Sequence, residues 1–325
     1  MENMNFNEQQ QQEIRDELYH LLCEQIRDKY GDAVEVVRRD VIKNNGLVLD
    51  GVVVNRGDSI VSPTIYLNDA AERVLNLGES VNSACNHLMN SIEQAQEERL
   101  DVDLHTINYD NAKCNLRATV INAEKNKEML EKCPHELMED LAIICRYYVQ
   151  DNASFLVKNE HLDLLQMSPS EALEIAKMNS VSKEEYQVKN IAEVLNEVMG
   201  MDDDIMPDDM QPPIYVVTNE ARCNGATGIF INEDLRQAVR DTIGEDYYVI
   251  PSSVHEVLAV GTSVLPKEEL KAMIMDVNDN HVSQDEYLSD EPYVCGVNLR
   301  IRLADKQDMA EEDASKQTRH HAMSM

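Results

Sequence analysis

Apolar residues near the N-terminus recur at the spacing of one face of a helix. They lie at i, i+4, i+7, i+8 and i+12, in the series Ile14, Leu18, Leu21, Leu22 and Ile26. This period predicts an amphipathic α-helix whose apolar side packs against a core. Gly31 follows the series and is placed to end the helix, because glycine adopts the left-handed conformation that closes many helices.

Strand-like runs follow this helix, and a second helical stretch comes after them. The runs are "AVEVVRRDVI", "GLVLDGVVV" and "SPTIYL". Asn44-Asn45-Gly46 separates the first two, and Asn and Gly tolerate the positive φ of hairpin turns, so these two runs are predicted to form a hairpin. A helix is then predicted from Asp69 to Glu98, with a break near Gly78.

The middle of the chain is predicted to be mainly helical, with short strands. "NLRATVIN" and "ASFLV" read as strands, and a helix is predicted from Pro134 to Tyr148, with Leu137, Leu141 and Ile144 on the same side as Tyr148. Ser168 to Glu171 is a capping box with proline at the first helical position, and Ser182 to Glu185 is predicted to be another.

An acidic segment separates this region from a C-terminal module. Residues 190 to 213 contain seven Asp or Glu and no Lys or Arg, which is typical of an exposed connection. Beyond it, "PIYVVT", "GIFI", "DYYVI", "EVLAV" and "VNLRIRL" are predicted strands. Predicted helices run over "NEDLRQAVRDTIG", between Asn232 and Gly244, and from Lys267 to Val277.

The mixed order of strands and helices predicts an α+β fold of mixed antiparallel sheets with packed helices, in two lobes. The expected divisions are an N-terminal α+β lobe over 1–110, a middle helical segment over 111–200, the acidic connection over 201–213, a C-terminal α+β module over 214–304 and a disordered tail over 305–325.

Charge and composition narrow the classes of partner. The chain carries 61 acidic and 29 basic residues, a net charge of −32, and such a field disfavours direct binding to nucleic acid. Solubility accounts for this acidity, and the alternatives are a binder of basic partners or a mimic of DNA. The chain has 16 Met and no Trp, which indicates a plain aliphatic core and no bound cofactor.

Cysteine usage and the N-terminal stretch predict a cytoplasmic protein. The seven cysteines are irregularly spaced and form no C-x-x-C, which is typical of reduced thiols in a cytosol. The start, "MENMNFNEQQQQEIRDEL", has neither the basic nor the apolar region of a signal peptide. No apolar stretch approaches the roughly 18 residues of a membrane span, so no membrane association is expected.

"DYYVIPSSVHEVLAV" raises the question of a serine nucleophile with a histidine base. It contains Ser252, Ser253, His255 and Glu256 but no G-x-S-x-G, and neighbours in sequence are not thereby placed for proton transfer. Ser253-Val-His-Glu256 reads instead as a capping box or a tight bend. We therefore favour a structural role for Ser253 in a turn over a catalytic role as a nucleophile.

The other candidate chemistries are weaker still. No metal site is predicted. The zinc motif H-E-x-x-H does not occur, and Cys133-Pro134-His135 offers two ligands where zinc needs at least three. The stretch "DVNDNHVSQDEY" has His281 and Tyr287 at the positions where a calcium-binding loop needs Gly and Glu. Cys133 is interpreted as a packed small residue. The glycines of "CNGATGIF" are interpreted as a hairpin or bulge that leads into a strand.

Several blocks resemble a bacterial family known only as a domain of unknown function, found in anaerobic gut bacteria and near mobile elements. They are "KNNGLVLDGVVV", "SPTIYL", "VKNEHLDLL", "YVVTNEARCNGATGIF", "YYVIPSSVHEVLAV" and "VSQDEYLSDEPYV", in that order over most of residues 30 to 300. The resemblance implies no activity.

Two classes of function remain open. The favoured class is a non-catalytic cytoplasmic protein that binds an unidentified protein partner, in mobile-element biology. The alternative is a hydrolase whose site is assembled from distant polar residues. The first candidates for that site are Asn159, Glu160, His161, His255 and Glu256. A pocket in which the two histidines converge with a carboxylate would favour the enzyme.

Overall fold

The computed structural model describes residues 6–31, 34–55, 64–97, 108–150, 153–200, 211–251 and 253–305. The chain divides into two compact units, residues 1–107 and residues 108–325. The described residues form helices and three antiparallel sheets, which confirms the predicted α+β class. Within those residues, none of the helices combines the length and apolar character needed to cross a membrane.

The first unit packs its helices on a three-stranded sheet of order β1-β2-β3. Its elements are α1 Phe6–Tyr30, β1 Glu35–Ile42, β2 Val48–Asn55, β3 Thr64–Tyr66, α2 Asn68–Leu77 and α3 Val81–Glu97. Leu18, Leu22 and Ile26 of α1 are buried in the core of this unit, so the predicted helical face is confirmed. The predicted hairpin is also confirmed, since β1 and β2 pair across a turn in which Asn45 and Gly46 have φ of 57° and 69°.

The second unit contains two sheets and the larger share of the elements. They are α4 Tyr109–Asn115, β4 Leu116–Asn122, α5 Lys127–Leu130, β5 His135–Met138, β6 Leu141–Gln150, β7 Ala153–Leu156, α6 Asn159–Leu165, α7 Pro169–Lys183, β8 Tyr186–Asn190, α8 Ile191–Met199, β9 Ile214–Asn219, α9 Thr227–Ile231, α10 Glu233–Ile243, β10 Tyr247–Ile250, β11 Val257–Gly261, α11 Lys267–His281, β12 Tyr293–Cys295 and β13 Ile301–Leu303. One sheet joins β4, β5 and β7 to β6, and the other has the order β13-β12-β10-β11-β9-β8.

The helix predicted from Pro134 to Tyr148 is wrong, because this stretch forms β5 and β6. Leu141 to Cys145 are buried in succession in a strand that pairs with β4 along one edge and with β5 and β7 along the other. A continuous apolar run fits a strand buried on both faces as well as a helix, and periodicity cannot separate the two. The middle region therefore contains a long buried strand in addition to its helices.

Two further predictions fail locally, and a third is confirmed only in part. "GIFI" lies in helix α9, so the glycines before it do not lead into a strand. Ser182 caps no helix, because it lies inside α7, which continues to Lys183. Of the expected last strand "VNLRIRL", only Ile301–Leu303 is a strand.

Other helix ends follow the predicted signals. Ser168 caps α7 by accepting a hydrogen bond from the Glu171 N–H, with an N···Oγ distance of 3.2 Å. Asn232 caps α10 in the same way, and Gly244 ends it with a φ of 86°. The break near Gly78 separates α2 from α3, and α11 covers the helix predicted from Lys267.

The predicted domain divisions at residues 110, 200 and 213 stay predictions. Residues 201–210 of the acidic connection and residues 306–325 of the expected tail lie outside the described residues. Strand β8, which precedes the acidic connection, pairs with β9, which follows it, along Tyr186 to Asn190. The two sides of the acidic connection therefore contribute adjacent strands to one sheet.

Candidate functional site

The first three candidates from the sequence lie at the N-terminus of α6. The Nδ1 atom of His161 accepts a hydrogen bond from the Lys158 N–H at 3.1 Å, and its ring lies edge-on to Phe155 at a centroid distance of 5.5 Å. Glu160 approaches the other ring nitrogen at 3.8 Å, and the Asn159 side chain donates to the Glu131 carbonyl oxygen at 3.4 Å. These contacts hold the start of the helix against Phe155 and the Glu131 carbonyl.

Ser253 takes part in a bend between β10 and β11. Its hydroxyl accepts a hydrogen bond from the His255 N–H at 3.0 Å, and its backbone forms an antiparallel bridge with Tyr287. The predicted tight bend is therefore present. The capping box is wrong, because no helix begins between β10 and β11, and Ser252 lies outside the described residues.

The side chains of His255 and Glu256 have separate surroundings. Glu256 lines a small cavity of about 10 Å³ together with Lys189 and Arg222. The His255 ring lies between the turn after β9 and the segment before β12. Its neighbours differ from those of His161, so the structure gives the two histidines no shared contact among the residues described.

The partners of the His255 ring are Cys223 and Glu286. Its Nδ1 atom accepts a hydrogen bond from the N–H of Asn224, the residue after Cys223, at 3.3 Å. Its Nε2 atom lies 3.4 Å from Oε1 of Glu286. The imidazole lies close enough to the Cys223 thiol for each group to shift the pKa of the other. The ring therefore lies between the turn that carries an exposed thiol and a carboxylate, with Nδ1 facing the turn and Nε2 facing Glu286.

Strand pairing brings these three residues together. Val257 of β11 pairs with Val217 of β9, so the residues before β11 lie beside the residues after β9. The Thr218 hydroxyl donates to the His255 carbonyl oxygen at 2.8 Å across this pair. On the other side, the Val254 N–H donates to the Glu286 carbonyl oxygen at 2.8 Å, which places Glu286 next to the histidine.

The Cys223 turn lies between strand β9 and helix α9, and its backbone is held in an uncommon conformation. Arg222 and Asn224, on either side of the cysteine, have φ of 49° and 54°. Non-glycine residues with such angles are rare and are found disproportionately at functional sites. The Asn219 side chain holds the turn: it accepts from the Cys223 N–H at 3.0 Å and donates to the Cys223 carbonyl oxygen at 2.8 Å.

The interaction between the two groups shifts the pKa of each towards its charged form. The hydrogen bond from His255 lowers the pKa of Cys223, against an opposing effect of burial, and the positive charge of Arg146 acts in the same direction. The same hydrogen bond raises the pKa of His255, and the Glu286 carboxylate adds to the increase. A cysteine next to a cationic histidine is the usual setting of a reactive thiol.

Polar groups from β6 surround the thiol. The Asn224 side-chain amide lies 3.5 Å from the Cys223 sulfur and 3.3 Å from the Tyr148 hydroxyl. Arg146, two residues earlier on the same strand, donates from Nε to the Ser154 hydroxyl at 3.0 Å. Burial lowers the pKa of Arg146, so its cation is held in a partly desolvated position. An amide donor and a cation thus flank the thiol.

The buried cysteines are in a different chemical state. Burial raises the pKa of Cys133 to about 11 and that of Cys145 to about 12, so both are protonated at neutral pH. The interpretation of Cys133 as a packed small residue agrees with this burial. Within the part of the chain that the structure describes, no group of three or more His, Cys, Asp or Glu side chains is arranged to hold a metal ion.

Sequence reasoning selected His255 but missed Cys223 and Glu286. No spacing rule joins the three positions, because they come together only through the β9–β11 pair and the bridge to Tyr287. A local signal existed at Arg-Cys-Asn-Gly, where Asn and Gly are turn formers that follow a strand. Such a signal predicts a turn, but it does not indicate which side chain the turn exposes.

A comparison with protein-family models matches residues 16–295 to a family of unknown function, DUF5688. The match agrees with the resemblance to a domain of unknown function. Neither the curated proteins nor the solved structures give a match to the chain.

Proposed function

The chain belongs to the DUF5688 family, whose function is unknown, and we propose that it is a hydrolase that uses Cys223 as its nucleophile. The observation that carries this proposal is the position of His255, whose Nδ1 lies against the turn of the exposed Cys223 and whose Nε2 lies 3.4 Å from the Glu286 carboxylate. A nucleophile, a base and a residue that orients the base are the three parts of nucleophilic acyl transfer.

Each residue has a role that its contacts suit. Neutral His255 takes the proton of the Cys223 thiol at Nδ1, the nitrogen that faces this turn. The resulting thiolate attacks a carbonyl carbon, and the carbonyl electron pair moves to oxygen. Imidazolium His255 gives its proton to the leaving amine or alcohol as the carbon–heteroatom bond breaks, which leaves a thioester on the sulfur. Neutral His255 then removes a proton from water, and the resulting hydroxide attack releases the acid and the thiol. Glu286 stabilises the imidazolium and fixes its orientation.

Asn224 can supply a donor to the oxyanion if the N–H that now points to the Cys223 sulfur turns to the substrate oxygen. Its side-chain amide lies 3.5 Å from the Cys223 sulfur, on the residue next to the nucleophile. A fixed donor near the nucleophile stabilises the negative charge that develops on the carbonyl oxygen. The Tyr148 hydroxyl contacts this amide and limits its rotation. A neutral amide, ester or thioester is the class of substrate that this arrangement suits.

The non-catalytic class that the sequence favoured is the alternative. In that class the protein binds another macromolecule in mobile-element biology, and a minor variant is an acidic mimic of DNA. The net charge of −32 supports a partner with a basic surface and argues against duplex DNA. The acids are interleaved with bases in helices such as "KEELK", a pattern typical of solvated faces.

Alkylation of the native protein tests the proposed nucleophile. Cys114 is also exposed and serves as an internal reference thiol. Limited iodoacetamide at pH 6, followed by peptide mass spectrometry, should label Cys223 at least tenfold faster than Cys114, because only the former is paired with a histidine. His255→Asn should remove the difference. Equal rates at the two cysteines, or a rate unchanged in His255→Asn, would contradict the proposal.

A second measurement separates catalysis from mere thiol reactivity. With a small activated ester, intact-mass spectrometry should show one acyl group on Cys223 that is lost over time. Cys223→Ser should not turn over the thioester, and Cys114→Ser should behave as the unmodified protein. An acyl group that forms on Cys223 and never hydrolyses would favour the non-catalytic alternative.

A further inference from the structure

The second unit contains an open cleft far richer in arginine than the chain as a whole. Its volume is about 590 Å³, and its lining includes Arg236, Arg300 and Arg302 together with Glu139 and Glu233. The chain as a whole has about twice as many acidic as basic residues, with a net charge of −32. Three guanidinium groups facing two carboxylates reverse that balance locally.

The arginines come from two elements that are held in place. Arg302 lies on the edge strand β13, opposite Val294 of β12. Arg300 precedes the strand, in a turn where Leu299 has a φ of 56° and where the Arg300 N–H donates to the Asn298 side chain at 3.0 Å. This turn therefore presents Arg300 beside the strand that carries Arg302.

Arg236 reaches the cleft from α10. Its Nη1 atom donates to the carbonyl oxygens of Ile229 and Phe230, at 3.0 and 3.1 Å, and so closes the end of α9. Its Nε atom is buried and has no hydrogen-bond partner among the residues described. Such an atom keeps its desolvation cost without compensation.

The positive charges of Arg300 and Arg302 also lack a paired carboxylate in the part of the chain that the structure describes. Within the described residues, the structure shows no ion pair for Arg300 or Arg302, although Glu139 and Glu233 line the same cleft. In a chain with so many acidic residues, we expect exposed arginines to form ion pairs with carboxylates. Their grouping around one cavity, instead of along a surface with alternating charges, is the arrangement of an anion site.

We propose that this arginine cleft binds a small phosphorylated molecule. The planar guanidinium forms two parallel hydrogen bonds to phosphate, and several arginines match its multiple charge and oxygens better than they match a single carboxylate. The volume lies within the range of roughly 300–1,000 Å³ that is usual for ligand pockets. Phe230 is buried behind the lining, where it packs edge-to-face on Tyr293 at 5.5 Å and supports the wall of the cleft. The proposal does not depend on the role of Cys223.

Calorimetric titration of the full chain with inorganic pyrophosphate tests the cleft. At about 50 mM salt, where screening is moderate, we expect saturable binding at one site per chain. Arg300→Gln and Arg302→Gln should each weaken it by about tenfold or more. Arg39→Gln removes one exposed arginine from β1 of the other unit and should leave the affinity unchanged, which controls for net charge. Arg300 is itself exposed, so its replacement should not disturb folding.

Three results of this titration would overturn the proposal. They are no saturable binding of pyrophosphate, an equal loss of affinity in Arg39→Gln, or no loss in the folded Arg300→Gln variant. Citrate binding as tight as pyrophosphate binding would also overturn it, since the site would then select charge and not phosphate. A preference for pyrophosphate that is lost in both cleft variants, whose folding is checked by circular dichroism, supports it.

Discussion

Replacement of Gly225 by alanine tests how the fold supports the Cys223–His255 pair. Gly225 follows the Cys223 turn and is buried against strand β9 and the segment before β11. A Cβ atom at this position would lie 2.5 Å from the Asn219 backbone nitrogen, 2.5 Å from the Thr218 hydroxyl and 2.7 Å from the His255 carbonyl oxygen. Two of these three atoms belong to the backbone and cannot rotate away.

The cost follows from those contacts. Relief requires the turn to move away from the end of the β9–β11 pair, and overpacking of this kind costs about 1–3 kcal/mol. The same movement stretches the 2.8 Å bond from Thr218 to His255, which contributes about 1 kcal/mol. We therefore expect Gly225→Ala to lower the free energy of unfolding by about 2–4 kcal/mol. It should also separate the thiol from the imidazole and raise the pKa of Cys223.

Urea unfolding and thiol labelling together check this expectation. The chain has 12 Tyr and no Trp, so tyrosine fluorescence and circular dichroism are the suitable signals. Gly244→Ala, in the same unit, is the control: its Cβ meets nothing within 4 Å, but its φ is 86°, so it should cost about 1–2 kcal/mol and leave Cys223 labelling unchanged. If Gly225→Ala costs no more than the control, or keeps rapid labelling of Cys223, the reasoning is refuted.

Other consequences can be measured on single variants. His255→Asn removes the group that lowers the pKa of Cys223, so the midpoint of the pH–alkylation profile should rise towards the usual value of about 8.5; an unchanged midpoint would be contrary to this. Glu286→Gln removes the carboxylate that helps to raise the pKa of His255, so in a pH titration followed by NMR the His255 resonance should titrate at lower pH than in the unmodified protein. Ser168→Ala removes the N-cap of α7 and should cost about 0.5–2 kcal/mol in urea unfolding, whereas Ser182→Ala at the other end should cost within about 0.5 kcal/mol; equal losses would show that the cap does not contribute.

Local sequence patterns predicted the structure correctly where that structure depends on residues that are close in sequence. The face of α1 that carries Leu18 and Leu22, the turn at Asn45 and Gly46, and the cap at Ser168 were all predicted. In each case the cause lies within a few residues: the helical period, the tolerance of Asn and Gly for positive φ, or a hydroxyl next to a free N–H. The mixed order of such elements was enough to predict the α+β class.

Pairing between distant segments decided the rest. The run from Leu141 to Cys145 forms a central strand because β4 on one edge and β5 and β7 on the other pair with its backbone N–H and C=O groups. No local sequence pattern indicates that those partner strands exist. The candidate site has the same origin. Cys223, His255 and Glu286 lie in three separate connections, and only the β9–β11 register and the Ser253–Tyr287 bridge bring them together. A sequence shows which side chains are present, but long-range backbone hydrogen bonding determines which of them meet.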